Sequence, residues 1–451
     1  MAGYFMDFCG RYSHHFVQQG MNSVGHARHY LSGLLGTQRR KNIESIHNDV
    51  ADSDYQGMEQ FISSSPWSHR AVMEQVATDA GELLGEGKET GLYFDESSFL
   101  KKGKASVGVQ RQWSGRAGKV ENCQVAVFAC LGRGEHFAIS DFRLYLPESW
   151  SDDEARCDKA KIPRDQREYK PKWRLALEMA REARARGSRH GWIGMDSLYG
   201  SNARLLNELE DMGESFVADV NKITKVWLGE PKLEPLEEGS ARNGRPRKWP
   251  RLHVGNNVRY VSLEKLVEEE FAQGHRKLSY RQGQKGELWT RLWIREVWCW
   301  EKAWAKPRKR KLIVRRDLDG SYKYTLTNLL AEKNWKRYGW LQGQRFWIEQ
   351  AFHEAKSQLG MAQYQVRVWQ GWHHHMALVC MALLLSTKLR MEAQKETPLL
   401  STRDITELLD YFLPRKGATE DEVLARIRER HKQRQRDIDR RKKHKPTLPE
   451  I

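Results

Sequence analysis

The chain has 451 residues, enough for two to four domains, because single cores stop growing at about 250–300 residues. Lys and Arg outnumber Asp and Glu by 76 to 59, and the resulting net charge of +17 points to a polyanionic partner, nucleic acid first. The six cysteines (9, 123, 130, 157, 299 and 380) lack Cys-x2-Cys spacing, which argues against a disulfide framework or structural zinc and fits a reducing cytoplasm.

Residues 1–88 carry helical patterns without strands. Met1–Asp7 has no basic segment ahead of an apolar one, so no signal peptide is expected. Tyr30, Leu31, Leu34 and Leu35 form an apolar stripe ahead of Arg39, Arg40 and Lys41, and Ser65-Pro66 predicts a helix start with Pro in the first turn. Strand signals begin at Gly91. Leu92-Tyr93-Phe94 is a short apolar run ending in Asp95, and Cys123–Cys130 and Phe137–Leu146 predict neighbouring strands. Between the Asp95 run and Cys123 lies the basic loop of Lys101, Lys102, Gly103 and Lys104. A helix is predicted from about Lys172 to Arg186, then a short strand, Trp192–Met195, ending in Asp196.

From about 225 to 325, prolines and glycines punctuate charged loops and strand-like runs such as Leu288–Arg295 and Lys311–Arg316, which predicts a β-rich insertion. Its tryptophans at 289, 293, 298, 300 and 304 read as core packing. Helical periodicity runs from about Trp340 to Ala393. Met376–Leu385, the most apolar stretch, is ten residues long. A membrane span needs about 20, so a buried core helix is predicted. His373, His374 and His375 point in different directions on a helix and are expected to pack rather than bind metal. Arg426 to Lys445 holds eleven Lys/Arg against three Asp/Glu, a basic tail suited to phosphate contact.

Two-metal phosphoryl chemistry requires carboxylates converging from rigid elements, with ions about 3.5–4 Å apart. Asp95 and Asp196, each following an apolar strand run, would meet at one sheet edge, and a helix can supply the third. In Gln344–Lys356, Arg345, Glu349 and Lys356 fall on one face, with His353 close by. Ile348, Phe352, Ala355 and Leu359 form an anchoring stripe beside them. Alone, this helix reads first as a surface helix with charge pairs worth about 0.3 kcal/mol each. Glu96 follows Asp95 and is expected on the opposite strand face, outside the site.

Together with Asp95 and Asp196, the helix resembles the signature of a large group of bacterial insertion-sequence transposases. These DDE enzymes have a ribonuclease H-like fold and the pattern Tyr, two residues, Arg, three residues, Glu, six residues, Lys. Arg345, Glu349 and Lys356 match its last three positions, and Gln342 stands at the Tyr position. Asp95–Gly103, Ser106–Val109, Arg111–Gly115, Gly118-Lys119, Asn122–Val125, Asp196–Gly200, Tyr364–Arg367 and Trp369–His373 resemble other blocks of that group. The likeness spans about 20–390. The 153 residues separating Asp196 from Glu349 leave room for the β insertion several of its members carry.

The resemblance implies an α/β fold with five regions. These are a helical, DNA-binding region over 1–88, a first ribonuclease H-like part over 89–224, a β-rich insertion over 225–325, a second part with the Glu helix over 326–393, and a basic helical tail over 394–451. It implies metal-dependent cleavage at transposon ends and strand transfer into target DNA. Asp95, Asp196 and Glu349 would hold two Mg²⁺ (or Mn²⁺), and Arg345, Lys356, Lys101, Lys102 and Lys104 would contact phosphates. The expected partners are double-stranded DNA (terminal inverted repeats and target) and a second copy on DNA, with no membrane, in a bacterial cytoplasm at the nucleoid. The rival readings are a domesticated DNA-binding protein without transposition activity, which three intact acids disfavour, and a glycosidase, which the basic neighbours of Glu349 disfavour.

Overall fold

The computed structural model describes residues 1–417, apart from 19, 86, 116, 235–247, 284–285, 303, 394–395 and 398–399, with scattered positions beyond. Most of the basic tail therefore lies outside the described residues.

Five helices come first: α1 (Ala2–Tyr12), α2 (Val24–Leu34), α3 (Ile43–Asp49), α4 (Tyr55–Ser63) and α5 (His69–Leu84). The predicted start at Ser65-Pro66 is displaced. Ser68 is the cap that forms, accepting from the Ala71 N–H, while the preceding Trp67 is buried with its indole N–H on the Phe61 carbonyl at 3.0 Å.

The strands are β1 (Gly87–Leu100), β2 (Gln110–Ser114), β3 (Lys119–Arg133) and β4 (His136–Leu144). After α6 (Lys172–Ala185) come β5 (His190–Met195), the short α7 (Ser197–Gly200), α8 (Ala203–Asp211) and β6 (Phe216–Val220). β1 runs antiparallel to β3 and parallel to β5, β5 is parallel to β6, and β4 edges β3. The result is a mixed sheet flanked by helices, compatible with a ribonuclease H-like fold.

The strand carrying Asp95 does not end there as predicted. Its ladder with β3 continues to Leu100↔Cys123, whereas its pairing with β5 stops at Phe94↔Met195. Asp95 and Asp196 are therefore the next residues of two adjacent strands.

The 225–325 region extends the same sheet. It adds β7 (Lys225–Trp227), β8 (Tyr260–Ser262), helix α9 (Leu263–Gly274), β9 (Arg276–Gly283), β10 (Gly286–Cys299), β11 (Arg308–Arg316) and β12 (Tyr322–Thr327). β12 pairs with β6, which closes a twelve-stranded sheet among the described residues. Beneath α9 a small core forms from Trp293, Val297, Val314 and Tyr324. Trp300 is also buried, whereas Trp289 stays 43% exposed.

The predicted continuous helix to Ala393 is three: α10 (Trp335–Gln344), α11 (Phe346–Gln358) and α12 (Trp369–Ala393). Gly360, at φ +70°, lies in the link after α11, a conformation glycine adopts without steric cost. α12 is buried nearly all round and includes Met376–Leu385 as predicted. α2, α4, α5, β4, α11 and a last helix, α13 (Thr402–Phe412), pack against it, and one hydrophobic core runs from Phe5 to Leu413. Within the described residues no helix is long and apolar enough to cross a membrane.

Candidate active site

The backbone sets two of the acids side by side. Asp95 is drawn in beyond the last β1–β5 pair, its Oδ1 accepting from the Glu96 N–H at 2.7 Å. Asp196 caps α7, its Oδ1 accepting from the N–H groups of Leu198 (2.9 Å) and Tyr199 (3.4 Å). Burial and the charge of Asp196, with Glu96 adding, push the Asp95 carboxyl up to about 8 against the pull of Arg345. Burial and Glu96 likewise raise Asp196.

Arg345 is the hub. It sits between α10 and α11, with Nη1 3.2 Å from Asp95, Nη2 2.5 Å from Glu349 and Nε 3.5 Å from Asp219. Burial alone would lower its pKa. Glu349, Asp219, Asp95 and Asp196, in that order, hold it above the ordinary value instead. Asp95 of β1 and Glu349 of α11 thus converge on one guanidinium, and the charge of Asp196, at the end of β5, bears on it as well. Glu349 is half-exposed and Asp95 is nearly enclosed, their side chains 50% and 14% accessible.

Two acids that the sequence reading left out also belong to this cluster. Asp219 breaks the apolar run of β6 and accepts from Thr325 Oγ1 at 2.6 Å, and Thr325 in turn accepts from Gln342 Nε2 at 2.7 Å. Gln342, at the familial Tyr position, is thereby tied to Arg345 through Thr325 and Asp219. A lone Asp within Phe216–Val220 was the available signal. Glu96 bonds to Lys172 (3.0 Å) and to the Tyr199 hydroxyl (3.0 Å), on helices separate from those holding Arg345. Glu96 was expected outside the site, yet it reaches Tyr199 on the helix that Asp196 caps, and its charge bears on both aspartates.

No three His, Cys, Asp or Glu side chains among the described residues are already gathered tightly enough to hold a metal. Arg345 stands among the acids. The donor set nevertheless fits a hard divalent cation, being all carboxylate oxygen: Asp95, Asp196 and Glu349, with Asp219 and Glu96 beside them.

The predicted phosphate contacts fall in different settings. Lys356 Nζ donates to the Ser98 carbonyl at 3.1 Å, three residues along β1 from Asp95. Lys102 and Lys104 are exposed. Lys101 turns inward, 3.5 Å over the Tyr364 ring, and burial pulls its ammonium down to about 8. The histidines of α12 pack as expected, His374 stacking on Trp67 at 3.7 Å and His375 bonding to the Tyr30 hydroxyl at 2.8 Å. Beside Glu349 and Arg345 opens a cavity of about 200 Å³ whose wall includes Tyr280, Arg281, Arg315, Lys323 and Phe346.

Comparison with known proteins places this geometry in context. The family described as DDE superfamily endonuclease matches residues 17–287, a span holding Asp95 and Asp196 and ending before the Glu349 helix. A probable transposase for insertion sequence element IS701 from Microchaete diplosiphon is 24% identical over 193 residues, 42% of this chain. The chain spans 46% of that relative's length.

Proposed function

The chain belongs to the DDE superfamily of endonucleases, and on that premise we propose that it is a DNA transposase of the insertion-sequence type. It cuts DNA at the terminal repeats of its element and joins the freed 3′ ends to target DNA. The observation that carries this reading is that Asp95 and Glu349 share the Arg345 guanidinium while Asp196 follows the strand paired beside Asp95, although Asp196 and Glu349 lie 153 residues apart in the chain.

Asp95 and Asp196, set side by side by paired strands, and Glu349, on the helix facing them, would hold two Mg²⁺ (or Mn²⁺). Bound there, the ions activate the attacking water or 3′-hydroxyl and stabilise the leaving 3′ oxygen. Arg345 neutralises the acids until DNA enters, and its planar fork then suits a phosphate near the scissile bond. Lys356 steadies the backbone beside Ser98 and offers a point charge to the strand. Lys102 and Lys104, exposed on their loop, serve as phosphate contacts. Lys101 fits that role least, since its ammonium is already spent on Tyr364.

The helices of residues 1–88 and the basic residues of 394–451 add further grip on DNA. Joining two ends requires two copies of the protein on DNA, acting in the bacterial cytoplasm.

The test is a cleavage assay on the chain's own terminal repeats, with and without Mg²⁺. Asp95→Asn, Asp196→Asn and Glu349→Gln should each abolish cutting while leaving DNA binding largely intact. Near-normal cleavage by any one removes that residue from the site. A wild-type protein that shifts DNA in a gel without cutting it indicates a domesticated binder.

A further inference from the structure

Three strands of the 225–325 region carry an unusual row of charge. In the antiparallel register Lys277 on β9 lies opposite Arg291 on β10, and Arg291 lies opposite Arg316 on β11. Residues directly opposite share a sheet face and bring their side chains close, so like charges there repel. Among the described residues none of the three has a carboxylate partner within ion-pair distance. Two aromatics on the same face flank the row. Lys277 sits 5.6 Å over Trp289 and Arg316 sits 5.4 Å over Tyr322, with Trp289 43% and Tyr322 37% exposed. The same face is buried under α9 at Trp293, Val314 and Tyr324, and Phe271 of α9 reaches Tyr322 at 5.2 Å. The row therefore begins where the helical cover ends.

The opposite face is accounted for. Leu278 and Leu292 meet α10 at Gly339, and Arg315 and Lys323 line the cavity beside Glu349. The nearest acid in sequence on the exposed face is Glu287, two residues before Trp289 on β10. Farther along that face Arg295 pairs with Glu270 of α9, and Arg308 and Arg310 pair with Asp211 and Glu210, away from the row.

We propose that the face bearing Lys277, Trp289, Arg291 and Arg316 binds the phosphate backbone of a DNA segment other than the one at the active site, without regard to sequence. Repulsion retained in register, with no internal counter-charge, calls for that charge to come from outside. Strands about 4.8 Å apart spread the three cations over about 10 Å. Each strand of duplex DNA carries one phosphate per about 3.4 Å of axis, so about three phosphates of one strand fall within the row. The inference rests on the DNA-processing reading above and adds a second, non-catalytic contact to it.

The test uses the full chain in EDTA with a random-sequence duplex, read by fluorescence anisotropy between 50 and 200 mM KCl (about the range over which phosphate contacts are lost). Changing Lys277, Arg291 and Arg316 together to Thr should lower the slope of log affinity against log salt by about 2–3. Affinity at mid-range salt should fall about tenfold or more. The melting temperature should hold or rise by about 1–3 °C, because the repulsion is gone. Should the triple variant fold poorly, Arg291→Thr alone, at the centre of the row, should lower the slope by about 1. An unchanged slope and affinity overturn the proposal, as does a lower melting temperature with binding intact. Wild-type protein that binds DNA but does not cut it leaves this face standing and removes the transposase reading. Wild-type protein without affinity for DNA removes both.

Discussion

Arg345 meets Asp95, Glu349 and Asp219 with three different nitrogens, so each neighbour's removal has its own signature. Asp219→Asn keeps an acceptor for Thr325 but deletes the charge facing Nε. With its brace weakened, the guanidinium loses its fixed orientation toward the strand. Single-turnover cleavage should slow about tenfold, or about 1.4 kcal/mol of barrier. The melting temperature should move by no more than about 2 °C, because Arg345 keeps Asp95 and Glu349 as partners when only the 3.5 Å contact at Nε loses its charge. Cleavage at the wild-type rate would remove Asp219 from the site. Arg345, Glu349 and Lys356 were legible as candidates from a spaced pattern, and Asp95 and Asp196 from apolar strand runs that each stop before an acid. Asp219 was not, for it stands in a plain apolar strand and reaches the others only after β12 has folded back beside β6. The inward turn of Lys101 was equally hidden, since it depends on Tyr364, more than 250 residues away in the chain.

The elements follow periodicity where burial is one-sided and depart from it where a local bond decides. α6 spans Lys172–Ala185 against a predicted Lys172–Arg186, because its apolar face against the sheet is unambiguous. The start of α5 was missed because the Ser68 hydroxyl, and not Pro66, satisfies the first-turn N–H groups. The apolar stripe also ran through breaks at Arg345 and Leu359, where helices end but packing continues. One polar joint between elements carries a sharp consequence. Asp141 on β4 is buried and accepts Arg70 of α5 at 2.7 Å and Arg143 of its own strand at 2.6 Å, while Arg186, at the end of α6, lies 3.5 Å away. Burial pushes its carboxyl up, but Arg143, Arg70 and Arg186 together hold it below the usual carboxylate value. The folded state therefore binds its proton less readily than the unfolded chain. The stability this confers is fully present above about pH 4 and is lost as pH falls through the lower folded pKa. Asp141→Asn should cost about 2–4 kcal/mol at neutral pH by leaving partly buried arginines unpaired. It should also flatten the acid limb of a urea-denaturation series. A variant as stable as wild type at pH 7 would show that the joint adds nothing.

Across the whole molecule the two hydrophobic cores differ in how much chain they bind together. The larger joins the N-terminal helices to the strands holding the acids and to α12, and polar contacts reinforce it. The two ring nitrogens of His374 meet main-chain carbonyls of Ile62, near the end of α4, at 3.0 Å and of Trp67, ahead of α5, at 2.9 Å. The Lys41 ammonium donates to the carbonyls of Leu34 and Gly36 at 2.6 Å and to that of Gln358, at the end of the Glu349 helix. Helical composition alone could not reveal this, because a helix packed on its own neighbours and one packed on a distant α12 share the same periodicity. The smaller core, beneath α9, draws only on residues from Val220 to Leu326. Cooperative opening follows buried apolar contact. Native-state hydrogen exchange should therefore give α2, α5, α11 and α12 one common opening free energy, near that of global unfolding. The amides of α9 and β7 should exchange through a separate, lower-energy opening. A chain starting at residue 87 strips one flank of α12 and should aggregate rather than fold as a shorter enzyme. If such a chain were monomeric and melted cooperatively, or if α2 exchanged far faster than α12, the N-terminal helices would be an appendage and not half of the wall around the catalytic sheet.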